Sequence, residues 1–444
     1  MKKQNIYKTT KKYKMKKYIF LIAIIISGLC VQCSSSEDDN STIDAIAPTI
    51  PTQLKASNIT ETALSLTWNA STDNIGVTGY SIYKDNIVLK STSSTTITVD
   101  NLSESTSYTF KVSAKDAAGN QSEFSNTISV TTKSKVNTLE TASGDLQNYV
   151  GNLIDNFPGA SGDNYLDPNN AELTTWKNGI DFILENKIDE AVAEFGKIAY
   201  QVTEFTDTTL SNAVFYIVKK KASGKNYWGV YVFSKTPIKG NLVLMAPHSK
   251  YDTNTGKQAL YCFKNTQAKA LLLNGTHRCN NSTSSSCSGT TSACGSTSSF
   301  KISDMAHTTV SVFQKTTDIL LNTVASSVFV QLHGFAKSTT DPYVIMSNGT
   351  RETPSVDYVV KIKDKLLAED NSLTFKIAHV DTDWNRLIGF TNTQGRLINN
   401  SSNPCSSSST STTGRFVHIE QEKTKLRDNE EGWEKMSNAL KNAF

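Results

Sequence analysis

The sequence has 444 residues, a formal net charge of +4 and 38% hydrophobic residues. A chain of this length is too long for a single hydrophobic core and indicates two or three domains. The first 32 residues hold eight lysines and no acidic residue, so removing them turns the formal charge of +4 into −4. The remaining chain therefore gives no reason to expect a nucleic-acid partner.

The amino-terminal lysines are followed by an apolar run, Tyr18–Ile26. Together they have the form of a secretory signal, and the run is shorter than the roughly 20 residues of a membrane-spanning helix. The run leads to Cys33 and then to a segment rich in serine and acidic residues. Residues 1–33 thus resemble a bacterial lipoprotein signal. The resemblance implies that Cys33 carries the lipid and anchors the protein to the outer membrane at the cell surface, with residues 34–46 as a tether. Cleavage and plain secretion is the alternative.

Five cysteines follow Cys33, and an exported protein can keep them as disulfides. Four of the five lie in segments rich in serine and threonine, which favours disulfide bonds between loops. An odd number leaves one cysteine unpaired, and Cys262, in an apolar segment, is the candidate. The pairing of the others stays open. They are Cys279, Cys287, Cys294 and Cys405.

Residues 47–133 alternate polar and apolar side chains in short runs separated by turn signals, which is typical of an all-β domain. Their pattern resembles a fibronectin type III sandwich. The resemblance implies a spacer module, with carbohydrate binding as the alternative. The residues that carry it include Pro51, Trp68, Tyr80, Tyr83, Leu102 and Tyr108.

Residues 134–444 have a different pattern, because helical spacing appears at 146–157 and 173–205. Residues 212–234 then alternate like a hairpin, and strands alternate with helices from 241 onwards. This order predicts an α/β domain with a mixed sheet flanked by helices. The chain is therefore expected to be multidomain, and its long loops, 281–299 and 399–413, are expected to be functional or mobile.

Three apolar runs in the second domain end on polar side chains, namely His248, His333 and Glu420. Strands of an open α/β sheet deliver such groups to the crevice where ligands bind. All six histidines of the chain lie between residues 248 and 418. This clustering predicts a functional site built at the ends of strands.

The residue types indicate a metal centre. Two imidazoles and a carboxylate, from His248, His333 and Asp252, are a ligand set that zinc accepts with one position left for water. Glu420 would then serve as the base that deprotonates that water. The structural alternatives are hydrogen-bonded histidines, an Asx turn at Asp252 and a solvated carboxylate at Glu420.

Two arginines are candidates for substrate binding. Arg278 and Arg396 each have a guanidinium group that can hold a carboxylate with two hydrogen bonds. Asp304 and His307 lie at the start of a predicted helix, 303–321, where a capping and a structural role are the simpler interpretations.

The order of these residues is similar to that of zinc carboxypeptidases and N-formylglutamate amidohydrolase-type enzymes. The resemblance implies that His248, Asp252 and His333 bind zinc, that Arg278 holds a substrate carboxylate and that Glu420 is the base. The leading hypothesis is therefore a lipid-anchored, zinc-dependent hydrolase that cleaves an amide in a peptide or cell-wall-like substrate. A non-enzymatic adhesion protein and an esterase or phosphatase are the alternatives. No Gly-x-Ser-x-Gly sequence is present, which counts against a serine esterase.

Overall fold

The computed structural model describes residues 44–133 and 137–444. The chain divides into two compact units, residues 1–135 and 136–444. The predicted signal, Cys33 and the predicted tether up to residue 43 lie outside the described residues. Within the described ranges, no helix is long and apolar enough to cross a membrane. The expected order, an all-β domain followed by a mixed-sheet domain with helices, is confirmed.

Residues 44–133 of the first unit form two antiparallel sheets, one of three strands in the order β1-β2-β5 and one of four in the order β4-β3-β6-β7. Alternate side chains of each inner strand point into a shared apolar core, as the burial of Leu64, Leu66 and Trp68 on β2 shows. The strands are β1 Thr52–Ser57, β2 Leu64–Asn69, β3 Val77–Lys84, β4 Ile87–Thr92, β5 Thr96–Val99, β6 Ser107–Asp116 and β7 Ile128–Thr131.

The second unit contains a ten-stranded sheet in the order β18-β17-β19-β16-β12-β13-β11-β10-β9-β8 and a separate two-stranded sheet, β14-β15. The strands are β8 Glu140–Gly144, β9 Tyr200–Asp207, β10 Ala213–Lys220, β11 Val230–Ser234, β12 Lys239–Ala246, β13 Ala268–Leu273, β14 Thr290–Thr291, β15 Ser298–Ser299, β16 Val328–Phe335, β17 Val344–Ser347, β18 Phe375–Ile377 and β19 Phe416–Glu422. The helices are α1 Leu146–Asp155, α2 Asn170–Leu184, α3 Ile188–Lys197, α4 Thr255–Thr266, α5 Val312–Thr323, α6 Tyr358–Glu369, α7 Thr393–Ile398, α8 Lys423–Leu426 and α9 Glu430–Ala443, with a 3-10 turn at Met305–His307.

Four neighbouring strands in the middle of the large sheet, β13, β12, β16 and β19, run parallel to one another. The strands outside this group pair with it in the antiparallel sense, β11 with β13 and β17 with β19. The carboxyl ends of the four parallel strands therefore meet at one edge of the sheet, where open α/β sheets bind ligands.

Both faces of this sheet are covered, which explains the uninterrupted apolar runs of its central strands. On β12, Leu242 and Leu244 belong to the core cluster that also contains residues of α1, α4, α6 and α9. Val243 and Met245 belong to the cluster on the opposite face, with residues of α2, α3 and α5. The interior of these strands is therefore mainly apolar, with Gln331 on β16 as a buried polar exception.

Two of the predicted helices are longer than the observed ones. The segment 173–205 contains α2, α3 and then the beginning of β9, because residues from Tyr200 onwards pair with β10 along its full length. The segment 303–321 contains the 3-10 turn, and α5 begins only after Ser311, whose hydroxyl oxygen accepts a hydrogen bond from the Gln314 backbone N–H at 3.0 Å. Tertiary pairing and capping, respectively, set these limits.

Candidate metal centre

The parallel strands bring His248, His333 and Glu420 together. His248 follows the last residue of β12 by two positions, and His333 lies near the end of β16. Glu420 on β19 is the direct register partner of His333. Asp252 returns to the same place through a turn in which its backbone N–H donates to the His248 carbonyl oxygen at 3.0 Å. The structure thus places these four residues at one buried edge.

Three side-chain atoms from this group form a compact triangle. The Nδ1 atoms of His248 and His333 are 3.1 Å apart. Oδ2 of Asp252 lies 3.2 Å from the His248 Nδ1 and 3.5 Å from the His333 Nδ1. Ligands bonded to zinc at about 2.0–2.1 Å in a tetrahedron are about 3.3 Å apart, so the three atoms fit one zinc ion.

Each imidazole is oriented by a partner on its far nitrogen. Nε2 of His248 lies 2.9 Å from Asp304 Oδ1, and Nε2 of His333 lies 2.7 Å from Gln331 Oε1. Since these oxygens accept the Nε2 protons, the Nδ1 lone pairs are free to face a metal ion. Partners of this kind fix the tautomer of metal-binding histidines. The far-side contacts therefore fit a ligand role for both residues.

The charges of the cluster are strongly coupled. Burial and Arg278 lower the pKa of His248, but Asp304 and Asp252 outweigh them and raise it above its ordinary value. Burial lowers the pKa of His333 to about 4. Burial raises the pKa of Asp252, but the neighbouring histidines outweigh it and hold that pKa far below its usual range. A neutral His333 and an ionised Asp252 are the forms that bind a metal cation.

Glu420 and His418 form the adjoining wall, and each has a buried atom without a hydrogen-bond partner among the described residues, Oε2 and Nδ1 respectively. Burial and the charge of Asp252 raise the pKa of Glu420 to about 8. Burial and the nearby His333 lower the pKa of His418 well below its ordinary value. Gly389, with a φ of +70°, lies so close that a Cβ atom there would approach the His418 ring carbon to 2.9 Å. The wall is therefore both polar and tightly packed.

The two arginines predicted to bind substrate have different surroundings. Arg278 is beside the cluster, but its Nε donates to Asp304 Oδ2 at 2.9 Å and its Nη2 donates to the same oxygen. Arg396 is not among the residues lining the cavity, because its guanidinium donates to carbonyl oxygens, including those of Phe390 and Cys405 at 2.9 and 3.2 Å. Both guanidinium groups therefore have protein acceptors, and carboxylate binding by either of them stays a prediction.

The cluster opens into a cavity of about 430 Å³. Two disulfide bonds, Cys279–Cys294 and Cys287–Cys405, connect the loops beside it, and Cys262 is the free, buried cysteine among residues 44–133 and 137–444. The predictions of bridged loop cysteines and of an unpaired Cys262 are therefore confirmed. The lining residues are His248, Arg278, Thr290, Thr291, Phe300, His307, His333, Asn385, Leu387, Ile388, Gly389, Phe390, Thr391, Asn392, His418 and Glu420.

Sequence reasoning missed the roles of Asp304 and His418. The Asp304 carboxylate contacts His248, Arg278 and His307, and no helix cap is formed by its side chain. His418 had a readable signal, because residues two apart on a strand share a face, which places it beside Glu420. Asp304 had none, since the fold of residues 278–304 brings it to the site.

The match to a family model lies in the first unit. Residues 49–131 match the family model of the Fibronectin type III domain, so the predicted fibronectin type III module is confirmed. Similar curated proteins include Chitinase Chi52 of Paenibacillus xylanexedens, 50% identical over 97 residues, which are 22% of this chain and 18% of that protein. Exoglucanase A of Cellulomonas fimi is 46% identical over 99 residues, 22% of this chain and 11% of that protein.

A solved structure of Chitinase ChiA74 from Bacillus thuringiensis is 40% identical over 20% of this chain and 14% of that chain, with a TM-score of 0.19. The chain therefore spans less than a fifth of the length of these relatives.

Proposed function

We propose that residues 137–444 form a zinc-dependent hydrolase that cleaves an amide bond. The observation that carries the proposal is the triangle of His248 Nδ1, His333 Nδ1 and Asp252 Oδ2, with separations of 3.1–3.5 Å and both imidazoles oriented from behind. A structural role alone does not require three buried ligand atoms to converge beside a cavity.

The residues have separable roles in this proposal. His248, His333 and Asp252 would hold the ion, which would polarise the amide carbonyl and acidify a water molecule. Glu420 would accept a proton as the general base. Burial favours the protonated form of Glu420, whereas a bound cation nearby lowers the pKa of its carboxyl group and favours the ionised form. The ionised form is the one that can act as a base.

Arg278 has two roles in this proposal, one through Asp304 and one at the reacting oxygen. It neutralises Asp304 through its Nε and Nη2 atoms, which stabilises the carboxylate that orients His248. Its remaining Nη1 lies 3.5 Å from His248 Nδ1. Charge-assisted donors of this kind stabilise an oxygen that gains negative charge during hydrolysis.

The test is to measure the zinc content of the purified chain and its hydrolysis of a panel of acyl-amino acids, amidated peptides and cell-wall fragments. We expect about one zinc ion per chain and turnover that a chelator abolishes and added zinc restores. A chain that binds no zinc contradicts the proposal. A zinc-loaded chain that cleaves no member of the panel removes the amide hydrolase assignment and leaves the metal centre.

We also propose that the fibronectin type III module is a spacer and that the protein is attached to the outer membrane through lipid on Cys33. The module's relatives are named as chitinases and exoglucanases, which supports a cell-wall-like polymer as the setting of the reaction. Replacing Cys33→Ala should move the protein from the membrane fraction to the soluble one. Retention of the variant in the membrane fraction with its lipid label would contradict the anchor.

A further inference from the structure

We infer that the cavity takes an amide with uncharged neighbours, as found inside a polymer or in a capped peptide, and discriminates against an amide next to a free carboxylate. The inference rests on the proposed function and specifies its substrate class. It departs from the carboxylate-holding role that the sequence suggests for Arg278 and Arg396.

The inference is based first on the charged residues that line the cavity. Among the described lining residues, Arg278 is the only lysine or arginine. Glu420 lines the same cavity, and Asp252 and Asp304 lie directly behind it in contact with His248. One zinc ion and Arg278 together offset these three carboxylates, so the loaded site has no surplus positive charge for a substrate carboxylate.

The inference is based secondly on the hydrogen bonds of Arg278. Its Nε and Nη2 atoms both donate to Asp304 Oδ2, and the side chain is buried. Its Nη1 lies 3.5 Å from His248 Nδ1, one of the three atoms of the metal triangle. The guanidinium is thus directed at Asp304 and at this triangle, so we expect Arg278 to act on the reacting oxygen and not on a carboxylate one residue away.

The other arginines near the site have protein partners, and none of them is among the described residues that line the cavity. Arg351 contacts the cavity wall from behind, where its Nη2 donates to Asn385 Oδ1 at 2.6 Å and to the Trp384 carbonyl oxygen at 2.8 Å. Arg396 donates to backbone carbonyl oxygens. Arg427 donates to the carbonyl oxygens of Gln421 and Thr253 at 3.0 and 2.6 Å. Arg386 is paired with Asp341 at 2.5 Å. A buried carboxylate without a partner is costly, so the absence of an available cation disfavours such a substrate.

The remaining walls suit an uncharged chain. Away from the metal cluster, the lining alternates hydroxyl and carboxamide groups with apolar side chains, which can hold a neutral polar substrate in one orientation. These residues are Thr290, Thr291, Asn385, Leu387, Ile388, Phe390, Thr391 and Asn392.

The experiment uses the zinc-loaded full chain and N-acylated dipeptides made in pairs, one with a free terminal carboxylate and one with a carboxamide in its place. We expect kcat/KM to be at least tenfold higher for the carboxamide of each pair that is cleaved. Equal values, or a preference for the carboxylate, overturn the inference while the hydrolase proposal stands. Turnover of neither form overturns the hydrolase proposal, and the inference falls with it.

A matched pair of variants sharpens the result. Thr291→Arg places a cation on the cavity wall and should raise kcat/KM for the carboxylate substrates relative to their carboxamides by about tenfold or more. Thr291→Gln adds similar length without charge and should leave the ratio unchanged. An identical change of the ratio in both variants would show that wall shape, not charge, selects the substrate, and would overturn the inference.

Discussion

The two units of the chain use buried charge differently. In residues 44–133 the buried charged residue is Asp116, whose carboxylate accepts hydrogen bonds from the backbone N–H groups of Gly119 and Asn120, both at 2.8 Å, and closes a turn. In residues 137–444 the buried charges of His248, Asp252 and Asp304 contact one another across separate segments. Asp116 is bound by its own turn and also lies within 4.8 Å of the partly exposed carboxylates of Asp44 and Asp73. The charges of the second unit are instead buried together beside a cavity, an arrangement that indicates chemistry.

The largest effect should come from the ligand histidines. His248→Ala and His333→Ala should each remove bound zinc and lower turnover by at least about a thousandfold, because two remaining ligands do not hold the ion. His379→Gln is the matched control, because His379 is hydrogen-bonded to Asp357 and is not among the residues that line the cavity. Zinc retained at wild-type level in both alanine variants, measured by elemental analysis, would show that the cluster is structural.

The next effect concerns the base. Glu420→Gln should keep the zinc and lower kcat by about 10²–10⁴-fold, since a carboxamide cannot accept the proton of the attacking water. Glu422→Gln on the same strand is the control, because Glu422 caps α8 and does not line the cavity. Unchanged kcat in Glu420→Gln would leave the ligands in place and remove the base.

The comparison between the two units can also be tested by a substitution in the fibronectin type III module. Trp68 is buried in the core of the first unit, and Trp68→Ala should destabilise that unit by about 3–5 kcal/mol through loss of packing. Zinc content and kcat should stay at wild-type values. Thermal unfolding followed by calorimetry, beside elemental analysis, checks both parts. A loss of zinc in this variant would show that the metal centre depends on the module.

The smallest effect is expected at Asp207, a buried carboxylate of the second unit that lies outside the cavity lining and is paired with Lys264 at 3.1 Å. Asp207 is fully buried and accepts hydrogen bonds from the Leu146 backbone N–H at 3.1 Å and from the Thr209 backbone N–H at 2.8 Å. Burial raises its pKa, but hydrogen bonds from Thr209 and Leu146 outweigh it and hold the pKa below its ordinary value.

Because the folded pKa is depressed, the stability that Asp207 contributes is complete above its unfolded pKa of about 3.9 and is lost as the pH falls through the folded value. Asp207→Asn should therefore lower the free energy of unfolding by about 1–2 kcal/mol at pH 7 and by less in acid. Denaturant unfolding at several pH values measures this. A difference that grows towards low pH would contradict the assignment.

The strand ends were the predictable part of the site. Apolar runs bounded by His248, His333 and Glu420 indicated buried strands whose ends carry chemistry, and the sheet does place those ends together. The contacts of Arg278 were not predictable, because its partner Asp304 is 26 residues away in a segment without regular periodicity. The pairing of the loop cysteines was equally hidden, since Cys287 meets Cys405 across 118 residues.

The limits of the helices were less predictable than their existence. Helical spacing identified α1 and α2, but the spacing continued into residues that β9 uses for its pairing with β10. Local sequence reports propensity, and the partner strand, which no local pattern describes, decides between helix and strand.

The position of β19 in the sheet has a consequence for biosynthesis. This strand is the last of the sheet in chain order, yet it is inserted between β16 and β17, both of which precede it. Until the ribosome has delivered residues 416–422, β16 and β17 have no strand between them and the site has no Glu420. A nascent or truncated chain that stops earlier would therefore lack the base of the proposed hydrolase. The order of synthesis would delay the proposed activity until the last strand of the sheet is made.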